Sequence, residues 1–208
     1  MPTNTFFRLR DEKQDSVMRA AIHEFVEHGF ERAKISDIAK NAGIATGSIY
    51  QYFEDKRALF IYCAQWGLEV FMKKLDARVD LQNMDIYEYF HDALSKAEVI
   101  AEERELVAFM QTVTKEPDLL DDSMKAMYDI GDSYIMALIK SSQNKGVVRD
   151  DIDDELLKEY FIAITERFRI RWMERHGDFA QPETGQQNAV IQNELRQMLE
   201  LLKMGMGC

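Results

Sequence analysis

Apolar residues recur every three to four positions through most of this chain, and short polar or glycine-bearing breaks separate the runs. That period predicts helices. Val17, Met18, Ala21, Ile22, Phe25 and Val26 form a first stripe behind a capping pair, Asp11 and Gln14, and the helix is predicted to end at Gly29 in a left-handed cap. Ile35, Ile38 and Ala39 mark a short second helix stopping at Ala42-Gly43. Ile44 and Ala45 lead into a third, also short, which runs to about Phe53. Glu54 and Asp55 then cap a long fourth helix reaching about Val79, with Leu59, Tyr62, Cys63, Trp66, Val70 and Leu75 on its inner side. Further helices are predicted near 85–102, 103–115 and 119–143, punctuated by Pro117 and the Asn144-Lys145-Gly146 cluster. After a polar segment at 149–154, Leu157, Tyr160, Phe161, Ile164, Phe168 and Trp172 keep helical spacing. Ile191, Leu195, Met198 and Leu202 do so again beyond a Gly/Pro-containing loop at about 177–185.

Composition narrows this to an all-α fold, because a 46% hydrophobic fraction supplies a core and only Pro2, Pro117 and Pro182 interrupt long helices. The apolar stretch Ala58–Ala64 falls well short of the roughly 20 residues that span a bilayer, so no membrane helix is expected. The N-terminus reaches charged residues at once and lacks the order of a signal peptide, which implies a cytoplasmic protein. Cys63 and Cys208 form no disulfide framework and no metal spacing, and Cys63 reads as a small core residue. A net charge of −11 argues against general affinity for nucleic acid. The first sixty residues, however, balance nine Lys/Arg against nine Asp/Glu, so all of the excess acid lies beyond them.

Two short helices around an Ala-Gly turn have the form of a helix-turn-helix, whose second helix enters the major groove of DNA. Ile35, Ile38, Ala39, Ile44, Ile49 and Phe53 supply its small core, and Gly43 permits the turn. The other face carries Thr46, Gly47, Ser48, Tyr50, Gln51 and Tyr52. Hydroxyls and an amide can bond base edges or phosphates, and Gly47 lets a backbone come close.

Residues 20–60 contain four blocks in order: F-x-x-x-G-F at Phe25–Phe30, I-x-D-I-A at Ile35–Ala39, A-G-I-A-T-G-S-I-Y-Q-Y-F at Ala42–Phe53 and K-x-A-L at Lys56–Leu59. In these blocks the chain closely resembles the DNA-binding head of the TetR (AcrR-like) family. The resemblance implies that Thr46, Ser48 and Gln51 face the groove, that Tyr50 and Tyr52 reach phosphates and sugars, and that Lys56 binds a phosphate at the start of the fourth helix. Two departures stand out. Where the family usually has Thr and Ser before the second helix, this chain has Ala33 and Lys34, so a hydroxyl cap is missing and Lys34 substitutes by charge. Ala45 replaces a frequent capping Ser, leaving Thr46 as the nearest hydroxyl.

The chain thus divides into a three-helix head, residues 1–56 with the helix-turn-helix at about 35–53, joined by a long helix to a larger body, residues 57–208. The four histidines, His23, His28, His91 and His176, have no metal spacing, and no nucleophile motif or phosphate loop occurs, so neither catalysis, metal nor cofactor is expected. The resemblance implies an apolar ligand pocket in the body, for which Trp66, Phe90, Phe109, Tyr128 and Phe168 are candidates beside a plain packing role. Arg167, Arg169, Arg171 and Arg175 are candidates to pair with an anionic ligand, beside a solvated helix face. The last two helices match the family's dimerisation pair. The implied function is a homodimeric repressor that binds a pseudo-palindromic operator in double-stranded DNA and is released by a largely apolar small molecule. A TetR-like activator, or a regulator controlled by a protein partner, is the first alternative. A helical carrier or enzyme is the second.

Overall fold

Gly29 interrupts the first long helix with φ 70° and ψ 169°, a backbone region that essentially only glycine occupies. The positive φ matches the expected cap, but ψ is extended, so the chain swings and then resumes a helical turn to Arg32. Phe30 loses its intrahelical acceptor there and donates its N–H instead to Glu116 Oε1 at 2.8 Å. The structure, a computed structural model, describes residues 1–76, 84–95, 102–176 and 185–208. The expected reach of the fourth helix to Val79, and most of the loop at 177–185, lie outside these residues. So do the side chains of Leu75, Arg169, Trp172, Arg175 and Ile191.

The described residues form helices α1 (Asn4–Phe7), α2 (Asp11–Arg32), α3 (Ile35–Asn41), α4 (Thr46–Tyr52), α5 (Lys56–Asp76), α6 (Ile86–Ser95), α7 (Arg104–Thr114), α8 (Pro117–Asn144), α9 (Asp154–His176) and α10 (Gly185–Met206). The only bridge among them is an isolated antiparallel one, Val148 to Gly207. The fold is therefore all-α, and none of the described helices is long and apolar enough to cross a membrane.

Helix ends differ from the local pattern where distant residues supply the caps. Asp11 and Gln14 do not form a capping box: Arg10 is the N-cap residue of α2, and Gln14 Nε2 turns back to donate to the Leu9 carbonyl at 2.9 Å. Asp55 does cap α5, its Oδ1 accepting the Ala58 N–H at 2.7 Å. Pro117 begins α8 rather than preceding it, as suits a residue with no N–H to lose. That helix closes in a Schellman pattern, with Gly146 N–H on the Gln143 carbonyl and Val147 N–H on that of Ser142.

Two compact units emerge. The first comprises Met1–Met72 and Glu103–Ile130, the second Lys73–Glu102 and Gly131–Cys208. In the first, α2 lies along α7, joined by Arg19 to Glu103 at 3.0 Å and His23 to Glu105 at 2.7 Å. Val17, Met18, Ile22 and Phe25 of α2, Leu59 and Phe60 of α5 and Phe109 of α7 are fully buried in one core. Cys63 lies in the same core, where burial pushes its thiol well up, as befits a packing residue rather than a redox sensor. In the second unit, Leu157 and Phe161 of α9 and Leu195, Met198, Leu199 and Leu202 of α10 close over Tyr87, Leu138 and Ile139.

Candidate DNA-binding surface

The reader is α3, a four-residue turn and α4. Ile35, Ile38, Ala39, Ile49 and Phe53 are buried, with Ile44 partly so, and these residues fix how the two helices cross. Gly43 makes the turn at φ 64°. Neither helix carries its own hydroxyl cap: Lys34 precedes α3 and Ala45 precedes α4, both extended and without a side-chain bond.

For α3, another helix satisfies the N–H of the N-cap residue itself. Glu24 of α2, only 4% exposed, presents Oε1 to the Lys34 N–H at 3.0 Å. A buried carboxylate on that N–H is a charge-assisted cap. Glu24→Ala is expected to lower the unfolding free energy by about 1–3 kcal/mol, by stranding that donor, and Glu24→Gln to recover part of it. Urea unfolding of the three proteins reads this directly; two variants as stable as the parent would assign the cap elsewhere.

On the outward side, Thr46, Gly47, Tyr50 and Gln51 are exposed and Ser48 is half-buried. The side-chain hydroxyls of Thr46, Ser48 and Tyr50 and the amide of Gln51 make no hydrogen bond with the described residues. A Cβ added at Gly47 would meet nothing within 4 Å, so the protein's own packing does not require glycine there. The two tyrosines separate. Tyr50 is 58% exposed, whereas Tyr52 is 8% exposed with its ring tilted against Phe6 at 5.9 Å. Lys34 projects to solvent. Lys56 is held: its Nζ donates to the Glu31 carbonyl at 3.1 Å and the Ala33 carbonyl at 3.2 Å, and it lies 4.6 Å from the centre of the Phe30 ring.

An N-terminal element that the hydrophobic pattern does not predict supports α4. The N-terminal residues fold back around α1, and Thr3 just before it donates its N–H to the Tyr52 carbonyl at 2.8 Å and its Oγ1 hydroxyl to the Gln51 carbonyl at 2.7 Å. Phe6 is fully buried against Tyr52, Phe53 and Tyr62. The signal available was the apolar pair Phe6-Phe7 ahead of the first charge.

The five ligand candidates divide between the two units. Trp66 and Phe109 are core residues of the first unit, and Tyr128 of that unit is 46% exposed. Phe90 and Phe168 pack partly buried in the second unit, Phe90 edge-on to Phe161 at 4.9 Å. A cleft of about 500 Å³ beside α5 and α8 is lined instead by groups such as Glu54, Arg57, Asp122 and Lys125. Arg167 and Arg171 are exposed on α9.

Residues 17–63 match the sequence family described as bacterial regulatory proteins, tetR family. The HTH-type transcriptional repressor BepR of Brucella suis is 26% identical over 178 residues, 80% of this chain and 82% of that one. Among solved structures, a TetR-family regulator from Mesorhizobium loti superposes with a TM-score of 0.71 at 15% identity, over 95% of this chain and 98% of that one. The regulator FadR from Bacillus subtilis, in complex with stearoyl-CoA, gives 0.60 at 20% identity, over 92% and 98%. The head, residues 17–63, thus matches the TetR family of bacterial regulatory proteins, and the chain along nearly its whole length shares the all-helical fold of TetR-family regulators of known structure.

Proposed function

We propose that this regulator is a cytoplasmic homodimeric repressor that binds a pseudo-palindromic operator and leaves it when a largely apolar small molecule binds the body. The observation that carries the reading is the outward face of α4: four groups able to donate or accept hydrogen bonds, none used internally, beside a glycine that packing does not demand. Thr46, Ser48 and Gln51 read bases or nearby phosphates, and Tyr50 takes the sugar-phosphate backbone. Tyr52 contributes through the small part of its surface left open. Lys34 meets phosphate with its free charge, and Lys56 through the third N–H of an ammonium whose other two serve carbonyls.

Residues 1–56 do the reading, and residues 57–208 sense and dimerise. Dimerisation is supported by a second apolar face on the last two helices. Leu156, Tyr160 and Ile164 are exposed at four-residue intervals on α9, and Val190, Leu201 and Met204 are exposed on α10. The two stripes adjoin, since a Cβ added at Gly205 would meet the Tyr160 hydroxyl oxygen at 2.8 Å. A two-fold pair would set its recognition helices about 34–36 Å apart, or a multiple, to match successive major grooves. An effector weakens operator binding by its differential affinity for the two spacings and by no more. An acyl-chain compound fits this class, given the stearoyl-CoA complex of the Bacillus subtilis relative.

The test is selection from a random-sequence duplex library, followed by binding at stated salt. The wild-type protein is expected to recover a two-fold-symmetric site. Ser48→Ala and Gln51→Ala should each relax preference at particular positions of that site, by about 1–3 kcal/mol for each direct bond removed. Failure to enrich any sequence would sink the DNA reading, and unaltered selectivity in the variants would remove those two side chains from base recognition.

A further inference from the structure

Five of the nine Lys and Arg in the first sixty residues are engaged by the protein itself. Lys13 Nζ donates to the Ala42 carbonyl at 2.9 Å and the Gly43 carbonyl at 3.4 Å, and Arg19 joins Asp15 and Glu103. Arg32 donates to the His28 carbonyl, Lys56 is held as described, and Arg57 pairs with Asp122 at 2.6 Å. The side chains of Arg8, Arg10, Lys34 and Lys40 are exposed and make no hydrogen bond or ion pair with the described residues. Half of the free positive charge of a neutral head therefore sits on the N-terminal segment.

That segment is fastened at both ends to the reader. Thr3 holds the last carbonyls of α4, and ten residues later Lys13 holds the carbonyls of the turn that leads into α4. Ser16 adds a longer contact, 3.5 Å, to the Ala42 carbonyl. Residues 3–13 thus run alongside the recognition helix from one end to the other, with Phe6 buried as the anchor. Arg8 and Arg10 line an open groove of about 640 Å³ with Leu9, Glu12, Lys13 and Ser16. Glu12, the acid on this rim, lies in the first turn of α2, where a carboxylate complements the helix dipole. A guanidinium with all five donors unused matches a phosphodiester in its fork geometry.

We infer that the N-terminal segment is a second DNA-contacting element, in which Arg8 and Arg10 bind backbone phosphates of the duplex beside the groove read by α4. This rests on the DNA-binding reading above and adds to it a contact outside the helix-turn-helix. The test uses the full chain and two probes, a duplex recovered by library selection with the wild-type protein and an unrelated duplex of equal length. The slope of log affinity against log salt is measured for wild type, Arg8→Gln/Arg10→Gln, Arg8→Lys/Arg10→Lys and Lys125→Gln. The glutamine pair should lower the slope by about 0.9 for each phosphate no longer neutralised, so by up to about two per subunit, on both probes alike. The lysine pair should restore most of it, the exposed Lys125 should leave it unchanged, and base preference on reselection should not move. All three positions are on the surface, where substitution costs little stability. A wild-type slope in the glutamine pair, with wild-type binding intact, overturns this inference alone. No binding by wild type to either probe overturns the DNA reading and the inference together.

Discussion

Phe109→Ala is expected to lower the unfolding free energy by about 3–5 kcal/mol, the largest stability loss foreseen for a single side chain here. Phe109 is fully buried on α7, its ring centre 5.0 Å from that of Phe60 and 6.1 Å from that of Phe25. Phe25 and Phe60 are themselves 4.9 Å apart, edge to face, so the three rings join α2, α5 and α7 in one cluster. Truncating one ring loses its transfer free energy and leaves a cavity that the other two are too constrained to fill. At roughly 2–4 °C per kcal/mol for a chain of this size, the midpoint should fall by about 6–20 °C. Thermal and urea unfolding measure it. Phe109→Leu, which keeps much of the volume, should lose distinctly less. The experiment also separates the two roles open to Phe109, packing and ligand binding. A ring lining an open ligand chamber has few packing partners on one side, so a loss below about 1 kcal/mol, with an altered effector response, would return Phe109 to the pocket candidates.

The residues read correctly from sequence are those whose role depends on near neighbours in the chain. The stripe Val17 to Phe25 is buried, the two short helices begin and end where Ile35, Gly43 and Phe53 place them, and Asp55 caps α5 three residues ahead of Ala58. What escaped depends on partners far away in sequence. Glu24 caps Lys34, Glu116 receives Phe30, and Thr3 holds Gln51 from 48 residues away. A 3.6-residue period reports that a helix has an apolar face but says nothing about which distant group completes its ends. Tyr50 and Tyr52 illustrate the same limit. The sequence pattern places both on the outward face, and only the position of Phe6 reveals that Tyr52 turns inward. Lys56, a phosphate contact by resemblance, is held by two backbone carbonyls, one in the last turn of α2 and one just beyond it.

Periodicity also merged two faces of α9 that the structure separates, and the second face carries the other large expected effect. Leu157 and Phe161 point into the core, while Leu156, Tyr160 and Ile164 point away from it, and the core has no further use for them. Ile164→Glu combined with Leu201→Glu is expected to convert the proposed dimer into a monomer, read by sedimentation or light scattering. Both side chains are exposed in the protomer, at 37% and 65%, so the folded subunit should survive with its thermal midpoint nearly unchanged. In a two-fold interface each substitution appears twice, and every carboxylate placed there is desolvated without a partner, which costs several kcal/mol. Operator affinity should fall with the assembly, by about 10²–10⁴, because the second head then binds as an independent molecule rather than at the high effective concentration set by its twin. Binding to an isolated half-site should stay close to that of the parent, since α4 is untouched. A variant that remains dimeric and binds the full operator as before would place the subunit contact on some other surface and leave these apolar stripes without a role.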